Sequence, residues 1–147
     1  MKARTRARSL ALQVLYEIDV TDHPPEEVLI AQMSENPLDD RLSTFAREII
    51  FGVIPFTSKL DQFIAEHAPE WPIDQVAIID RNIIRIALWE FIVSQDTPVK
   101  VAINEAIELA KIFGSDSSPR FVNGVLGSLA SRKNEIRQII RTTKNER

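Results

Sequence analysis

The chain contains no cysteine and only two histidines, His23 and His67, among its 147 residues. The absence of cysteine excludes disulfides, thiolate zinc sites and cysteine nucleophiles, and two histidines leave little for a histidine metal site. The four glycines match neither the dinucleotide-binding nor the Walker spacing. No apolar run approaches the roughly 20 residues that span a bilayer, and the N-terminus lacks the apolar stretch of a signal peptide. We therefore expect a cytoplasmic, soluble protein with no metal, no cofactor and no catalytic constellation.

Charges of both signs are present, but they are distributed unevenly along the chain. Residues 1–8 carry four cations and no acid, and residues 132–147 carry six cations and two acids, so each end has a net charge of +4. Because the whole chain totals −3, residues 9–131 carry −11. Such asymmetry indicates interaction surfaces rather than a particular fold. A basic tail by itself is usually solvated, so the C-terminal run carries little weight.

Hydrophobic periodicity is helical almost throughout, and prolines fall between the periodic segments. Acids such as Asp39-Asp40 stand at helix starts, where they serve as caps and dipole partners. No alternating strand pattern occurs, so the sequence predicts an all-α fold of about seven helices in two small three- or four-helix subdomains, about 1–57 and 58–147. The predicted helices are 4–20, 25–34, 39–54, 58–68, 74–94, 99–113 and 118–131, the last of which can run on into the basic tail.

The first helix begins with cations at the positive end of its dipole, where acids would be favoured. This arrangement calls for an external anion, and a nucleic-acid backbone is the obvious supplier. On a helical wheel Lys2, Arg6 and Gln13 share one side, whereas Arg4 and Arg8 project along the line of the core stripe. One interpretation is a solvated basic terminus. The functional one is phosphate contact by the arginines, with Gln13 reaching a base edge or a ribose.

The segment SDSSPRFVNGVL (115–126) is a second candidate site. Ser118 followed by Pro119 predicts a helix start with a hydroxyl cap and a proline at the first helical position. Arg120 and Phe121 then lie in the first turn, where a cation and backbone N–H groups can meet a phosphate and the ring can stack on an unpaired base. A core position for Phe121 is at least as consistent with its spacing.

Four segments resemble the NusB family of bacterial transcription antitermination factors: RTRARSLALQVLY (4–16), IDRNIIRIALWE (79–90), KVAINEAIELAKIFG (100–114) and SPRFVNGVL (118–126). The resemblance spans nearly the whole chain and implies a single NusB-like RNA-binding domain over 1–147. It also implies a non-catalytic factor that binds the boxA element of nascent ribosomal RNA transcripts together with the small-subunit ribosomal protein NusE. The pair would help make RNA polymerase termination-resistant, with NusA and NusG as indirect partners.

The resemblance and the charge pattern together predict the site residues. RNA contacts are expected at Lys2, Arg4, Arg6, Arg8, Gln13, Arg120, Phe121 and Asn123, and NusE contacts at Tyr16 and Asp80. Asp80 lies in the acidic middle of the chain, whose negative charge complements a basic ribosomal protein.

The sequence departs from the family pattern at three positions. Thr5 interrupts the arginine run, Ser117 stands where some relatives carry an acid, and Pro55 is expected to shorten or kink the third helix. Two rival interpretations remain. RNA cytosine methyltransferases share the fold but add a cofactor-binding domain with glycine-rich loops, and a helical protein-interaction module would leave the first arginines unexplained. A homodimer stays open.

Overall fold

The computed structural model describes residues 1–68 and 72–145, and side chains up to residue 142 within those ranges. The described residues form α-helices and no strand, so the predicted all-α fold is confirmed. In chain order the helices are α1 (Ala3–Val20), α2 (Pro25–Glu35), α3 (Asp40–Val53), α4 (Thr57–His67), α5 (Ile78–Leu88), α6 (Val99–Phe113), α7 (Ser118–Ala130) and α8 (Lys133–Asn145). The chain divides into two compact units, Met1–Pro55 and Phe56–Arg147. That they act as one RNA-binding domain stays a prediction.

The first unit is a three-helix bundle in which α1 packs against both α2 and α3. Asp39 is the N-cap of α3, and its Oδ1 accepts a hydrogen bond from the Leu42 N–H at 2.9 Å, so the predicted cap is confirmed. The core of this unit consists of apolar side chains at helical spacing, among them Ala7, Ala11, Val14, Leu15, Val28, Leu29, Ala46, Ile49 and Ile50.

Pro55 is the last residue of the first unit and lies in a short 3₁₀ turn, Ile54–Phe56. Proline has no N–H to donate within a helix. Accordingly α3 ends at Val53 and α4 begins at Thr57. The predicted shortening of the third helix at Pro55 is therefore confirmed.

In the second unit, α5 is the central helix and packs against α4, α6 and α7. Ile83 and Leu88 are fully buried, as expected for a helix that is apolar on nearly every side. Arg85 is also buried, and its guanidinium donates to the Asp61 carboxylate at 2.7 and 2.6 Å and to the Asn82 Oδ1 at 3.1 Å. The charge inside the unit is thus paired, which a buried cation requires.

The helical path of α5 continues as a π-helical segment, Trp89–Ser94, which the sequence predicted as ordinary helix. It ends at Gln95, which adopts the left-handed conformation with φ of 61°. Arg137 of α8 donates from Nε and Nη2 to the Phe91 carbonyl oxygen at 3.1 and 2.6 Å. This guanidinium joins α8 to the π-helical segment.

The basic tail forms a helix of its own, so the expected continuation of the last predicted helix is wrong. The Ser131 hydroxyl donates to the Ser128 carbonyl oxygen at 2.6 Å and competes with helical pairing there, and α8 begins two residues later at Lys133. Ile136 and Ile140 are buried. The expectation that the basic tail is simply solvated is therefore also wrong for this helix. Two cations of the tail, Lys144 and Arg147, lie outside the side chains that the structure describes.

Candidate nucleic-acid interface

The basic N-terminal residues belong to an ordered helix, because α1 begins at Ala3. Its first turn contains no acid, and the N-cap residue Lys2 makes no side-chain capping bond. Positive side chains therefore add to the positive end of the helix dipole. Lys2, Arg4 and Arg6 are exposed, so three cations on this end are accessible to an anion.

Arg8 differs from the other three cations because it is only 2% exposed. Its guanidinium carbon lies 5.0 Å from the centroid of the Phe45 ring, and that of Arg4 lies 4.5 Å from the same centroid. The two arginines were expected to project along the core stripe of α1. At that place they meet Phe45 of α3. No pattern in the sequence singled out Phe45, and direct contact of Arg8 with RNA stays a prediction.

Gln13 and Tyr16 lie further along α1. The Gln13 Nε2 donates to the Ser9 carbonyl oxygen at 3.1 Å, so its amide N–H group is engaged within the helix. Tyr16 is 40% exposed and is one of the few large apolar side chains that the first unit leaves accessible. Contact of Gln13 with RNA and contact of Tyr16 with a protein partner stay predictions.

The second unit contains a groove of about 440 Å³ where the segment before α5 meets the start of α7. It brings together three of the predicted site residues, Asp80, Arg120 and Phe121. An acid predicted to contact protein and two residues predicted to contact RNA therefore line one concavity. Asn123 is exposed on α7 but does not line the groove. The remaining lining residues are Gln75, Val76, Ala77, Ser115 and Ser117.

Asp80 is a buried acid, 7% exposed, in the first turn of α5. Among the described residues its Oδ1 has no hydrogen-bond partner. Burial raises the pKa of Asp80 above its usual value, and a hydrogen bond with the Ser118 side chain acts in the opposite direction. The site therefore holds a buried acceptor atom that no described residue satisfies.

Ser118 is not the helix cap that the sequence predicted. α7 already includes Ser118, and the N-cap is Ser117, without a side-chain capping bond. The buried Ser118 Oγ instead accepts from the Ser115 N–H at 2.9 Å and bonds to Asp80. A Cβ on Gly114 would collide with this Ser118 side chain, so the close approach requires glycine. The Gly–x₃–Ser spacing was the available signal for this contact.

The described side chains offer cations, aromatic rings and a buried acid. Among these residues, no group of three or more His, Cys, Asp or Glu side chains is placed to hold a metal ion. No helix within the described ranges is both long and apolar enough to cross a membrane.

Comparisons with a family model, with known proteins and with solved structures all indicate the same family. A model of the NusB family matches residues 5–131. The transcription antitermination protein NusB of Roseiflexus sp. (strain RS-1) is 47% identical over 137 residues, which cover 92% of this chain and 96% of that relative. The solved structure of T. maritima NusB has a TM-score of 0.80 at 31% identity, covering 88% of this chain and 92% of that one. A structure of antitermination factors NusB and NusE in complex with dsRNA has a TM-score of 0.79 at 25% identity, covering 88% and 96%. The predicted bundle type is thus confirmed.

Proposed function

Because this chain belongs to the NusB family of transcription antitermination proteins, we propose that it binds boxA-type RNA of nascent ribosomal transcripts together with NusE. One solved relative of the same fold was captured with NusE and double-stranded RNA. The observation that carries the proposal is the accessible cation cluster Lys2, Arg4 and Arg6 at the positive end of α1, which no acid in the first turn offsets. Phosphates supply the missing negative charge and release counterions when they bind.

The groove in the second unit supports the same function. Arg120 and Phe121 can contact a phosphate and stack on a base, respectively, with Asn123 exposed on the same helix. In the first unit, Gln13 extends the α1 contact, and Arg8 adds its charge from a buried position.

The protein contact is proposed at Asp80 and Tyr16. Asp80 lines the groove of the second unit and holds a buried oxygen without a partner among the described residues. A basic ribosomal protein is rich in cationic donors that pair with an acid in such a groove. Tyr16 offers an exposed ring with a hydroxyl group, a side chain that is enriched at protein interfaces. Both residues are therefore assigned to NusE rather than to RNA.

In the cell, we propose that the protein acts by binding rather than by catalysis. Together with NusE, and indirectly with NusA and NusG, it would help convert RNA polymerase to a termination-resistant form on ribosomal RNA operons. This role places the protein in the cytoplasm with the nascent transcript.

The test is a titration of labelled RNA followed by fluorescence anisotropy, with and without purified NusE, at several salt concentrations. Single-stranded boxA-type RNA is compared with a scrambled RNA of the same length and with a duplex. We expect weak binding by the protein alone and about tenfold or greater tightening with NusE. If the three exposed cations of α1 each contact a phosphate, they contribute about −2 to the slope of log K against log salt.

Two outcomes would contradict the proposal. Equal affinity for boxA-type and scrambled RNA, with and without NusE, would leave only non-specific charge attraction. A preference for the duplex over the single strand would point to a different RNA target. Sedimentation of the free protein at the same concentrations shows whether it forms a homodimer.

A further inference from the structure

Two arginines of α1 share one aromatic ring of α3. The guanidinium carbons of Arg4 and Arg8 lie 4.5 and 5.0 Å from the centroid of Phe45. All three residues belong to the first unit, and the ring itself is half-buried. These distances lie within the range of cation–π attraction.

The two guanidinium groups beside Phe45 repel each other. Arg4 and Arg8 are four residues apart on a helix, where like charges destabilise, and Arg4 lies in the first turn, where the dipole disfavours cations. The negative face of the Phe45 ring attracts both guanidinium groups. Arg4 nevertheless remains exposed on its outer side.

We propose that Phe45 is a positioning residue of the RNA site, which holds Arg4 in place to receive a phosphate. Because the side chain is already fixed, less conformational entropy is lost when RNA binds. An aliphatic residue would fill the same half-buried position but would not attract a guanidinium group. The inference rests on the proposed RNA binding and adds a residue that carries no charge and lies on another helix.

The same helix provides a matched control. Phe51 of α3 also lies near a guanidinium, that of Arg47, at 5.7 Å. Arg47 is paired with Glu26 at 2.9 Å, so its charge is already neutralised within the protein. Phe51 is therefore the same residue type on the same helix as Phe45, but the cation beside it is already held by an acid.

The experiment measures RNA affinity of the protein–NusE complex for Phe45→Leu, Phe45→Tyr and Phe51→Leu. We expect Phe45→Leu to weaken binding about three- to tenfold, and the other two to stay within about twofold of the unsubstituted protein. Because no cation is removed, the slope of log K against log salt should be unchanged in all three. An Arg4→Ala variant, by contrast, should lower that slope by about 0.7.

Fluorinated phenylalanine at position 45 separates the electrostatic effect from folding. Fluorine withdraws the negative charge of the ring face and nearly preserves its shape, so affinity should fall stepwise from one to three fluorines while the melting temperature changes little. Unchanged affinity across this series, or equal losses in Phe45→Leu and Phe45→Tyr, would overturn the positioning role. If the unsubstituted complex shows no preference for boxA-type RNA, the proposed function fails instead.

Discussion

A buried acid with an unsatisfied oxygen is an expensive residue to keep. The carboxylate of Asp80 is shielded from water, and its Oδ1 has no partner among the described residues. An acceptor left unpaired in this way reduces stability by about 1–3 kcal/mol. The side chain nevertheless lines an open groove. Its position is consistent with a role in recognition, which would provide the missing donor.

The substitution Asp80→Asn should therefore stabilise the free protein and weaken its complex. Burial raises the pKa of Asp80, so the folded state resists ionisation, and the charge at neutral pH opposes folding. Removing that charge should raise the free energy of unfolding by on the order of 1 kcal/mol and weaken NusE binding by about tenfold or more. Urea denaturation and a NusE titration measure the two effects.

Asp116→Asn is the matched control for this charge change, because Asp116 is exposed in the loop before α7. We expect it to alter stability and NusE affinity only slightly. A less stable Asp80→Asn protein, or one that binds NusE as the unsubstituted protein does, would show that Asp80 is structural.

At the scale of elements, the boundaries that follow from proline chemistry were predictable. Pro55 ends α3, and Asp39 caps its start, because the missing N–H and the capping carboxylate act locally. The π-helical end of α5 was not predictable. The carbonyl oxygen of its residue Phe91 accepts from Arg137, 46 positions away along the chain. Hydrophobic periodicity and capping residues report only on near neighbours in the sequence, so they cannot predict a contact over this distance.

The same distinction applies to the candidate site. The charges of Arg4 and Arg6 were visible in the sequence because a cation at a helix N-terminus is anomalous by itself. Phe45 gave no comparable signal, since the two arginines that it contacts lie on another helix. A phenylalanine at helical spacing is consistent with an ordinary core position. Packing alone brings Phe45 against two guanidinium groups.

Substitution of Arg137 tests whether α8 is joined to the π-helical segment by this one guanidinium. Arg137→Ala leaves the Phe91 carbonyl without its two donors, at 3.1 and 2.6 Å. We expect a loss of about 1.5–3 kcal/mol in unfolding free energy, the range for hydrogen bonds from charged groups. Hydrogen exchange should also speed up in α8.

Arg141→Ala removes a cation from an exposed position of the same helix and serves as the comparison. It should change unfolding free energy by less than about 0.5 kcal/mol. Equal effects of the two substitutions would indicate that α8 is held by Ile136 and Ile140 rather than by Arg137.

At the scale of the whole molecule, the two basic ends of the sequence differ in how their cations are paired. Both carry a net charge of +4. In the C-terminal end, Arg132 pairs with Glu66 and Glu135, and Arg137 binds a backbone carbonyl. In the N-terminal end, Lys2, Arg4 and Arg6 remain exposed. Equal net charges therefore conceal a difference, because Arg132 and Arg137 form contacts within the protein whereas the three named N-terminal cations are accessible to a ligand.

The C-terminal end also makes the stability of the protein depend on pH through His67. Its Nε2 lies 2.9 Å from the Arg132 Nη1, which can only donate, so Nε2 accepts and the ring is neutral. Its Nδ1 then carries the hydrogen and donates to the Ser128 Oγ at 2.6 Å. Burial, followed by the Arg132 charge, lowers the pKa of His67, while Glu66 and Glu135 partly oppose that shift.

A lowered pKa in the folded state means that the unfolded chain takes up a proton first as the pH falls. The contribution of His67 is therefore complete above the unfolded value of about 6.5 and is lost progressively below it. We expect the unfolding free energy of the protein to decline between about pH 7 and pH 5. His67→Gln should flatten this decline, because glutamine does not titrate, whereas His23→Gln should retain it. Urea denaturation at intervals across this range measures the slopes, and a His67→Gln protein with the original slope would assign the decline to other groups.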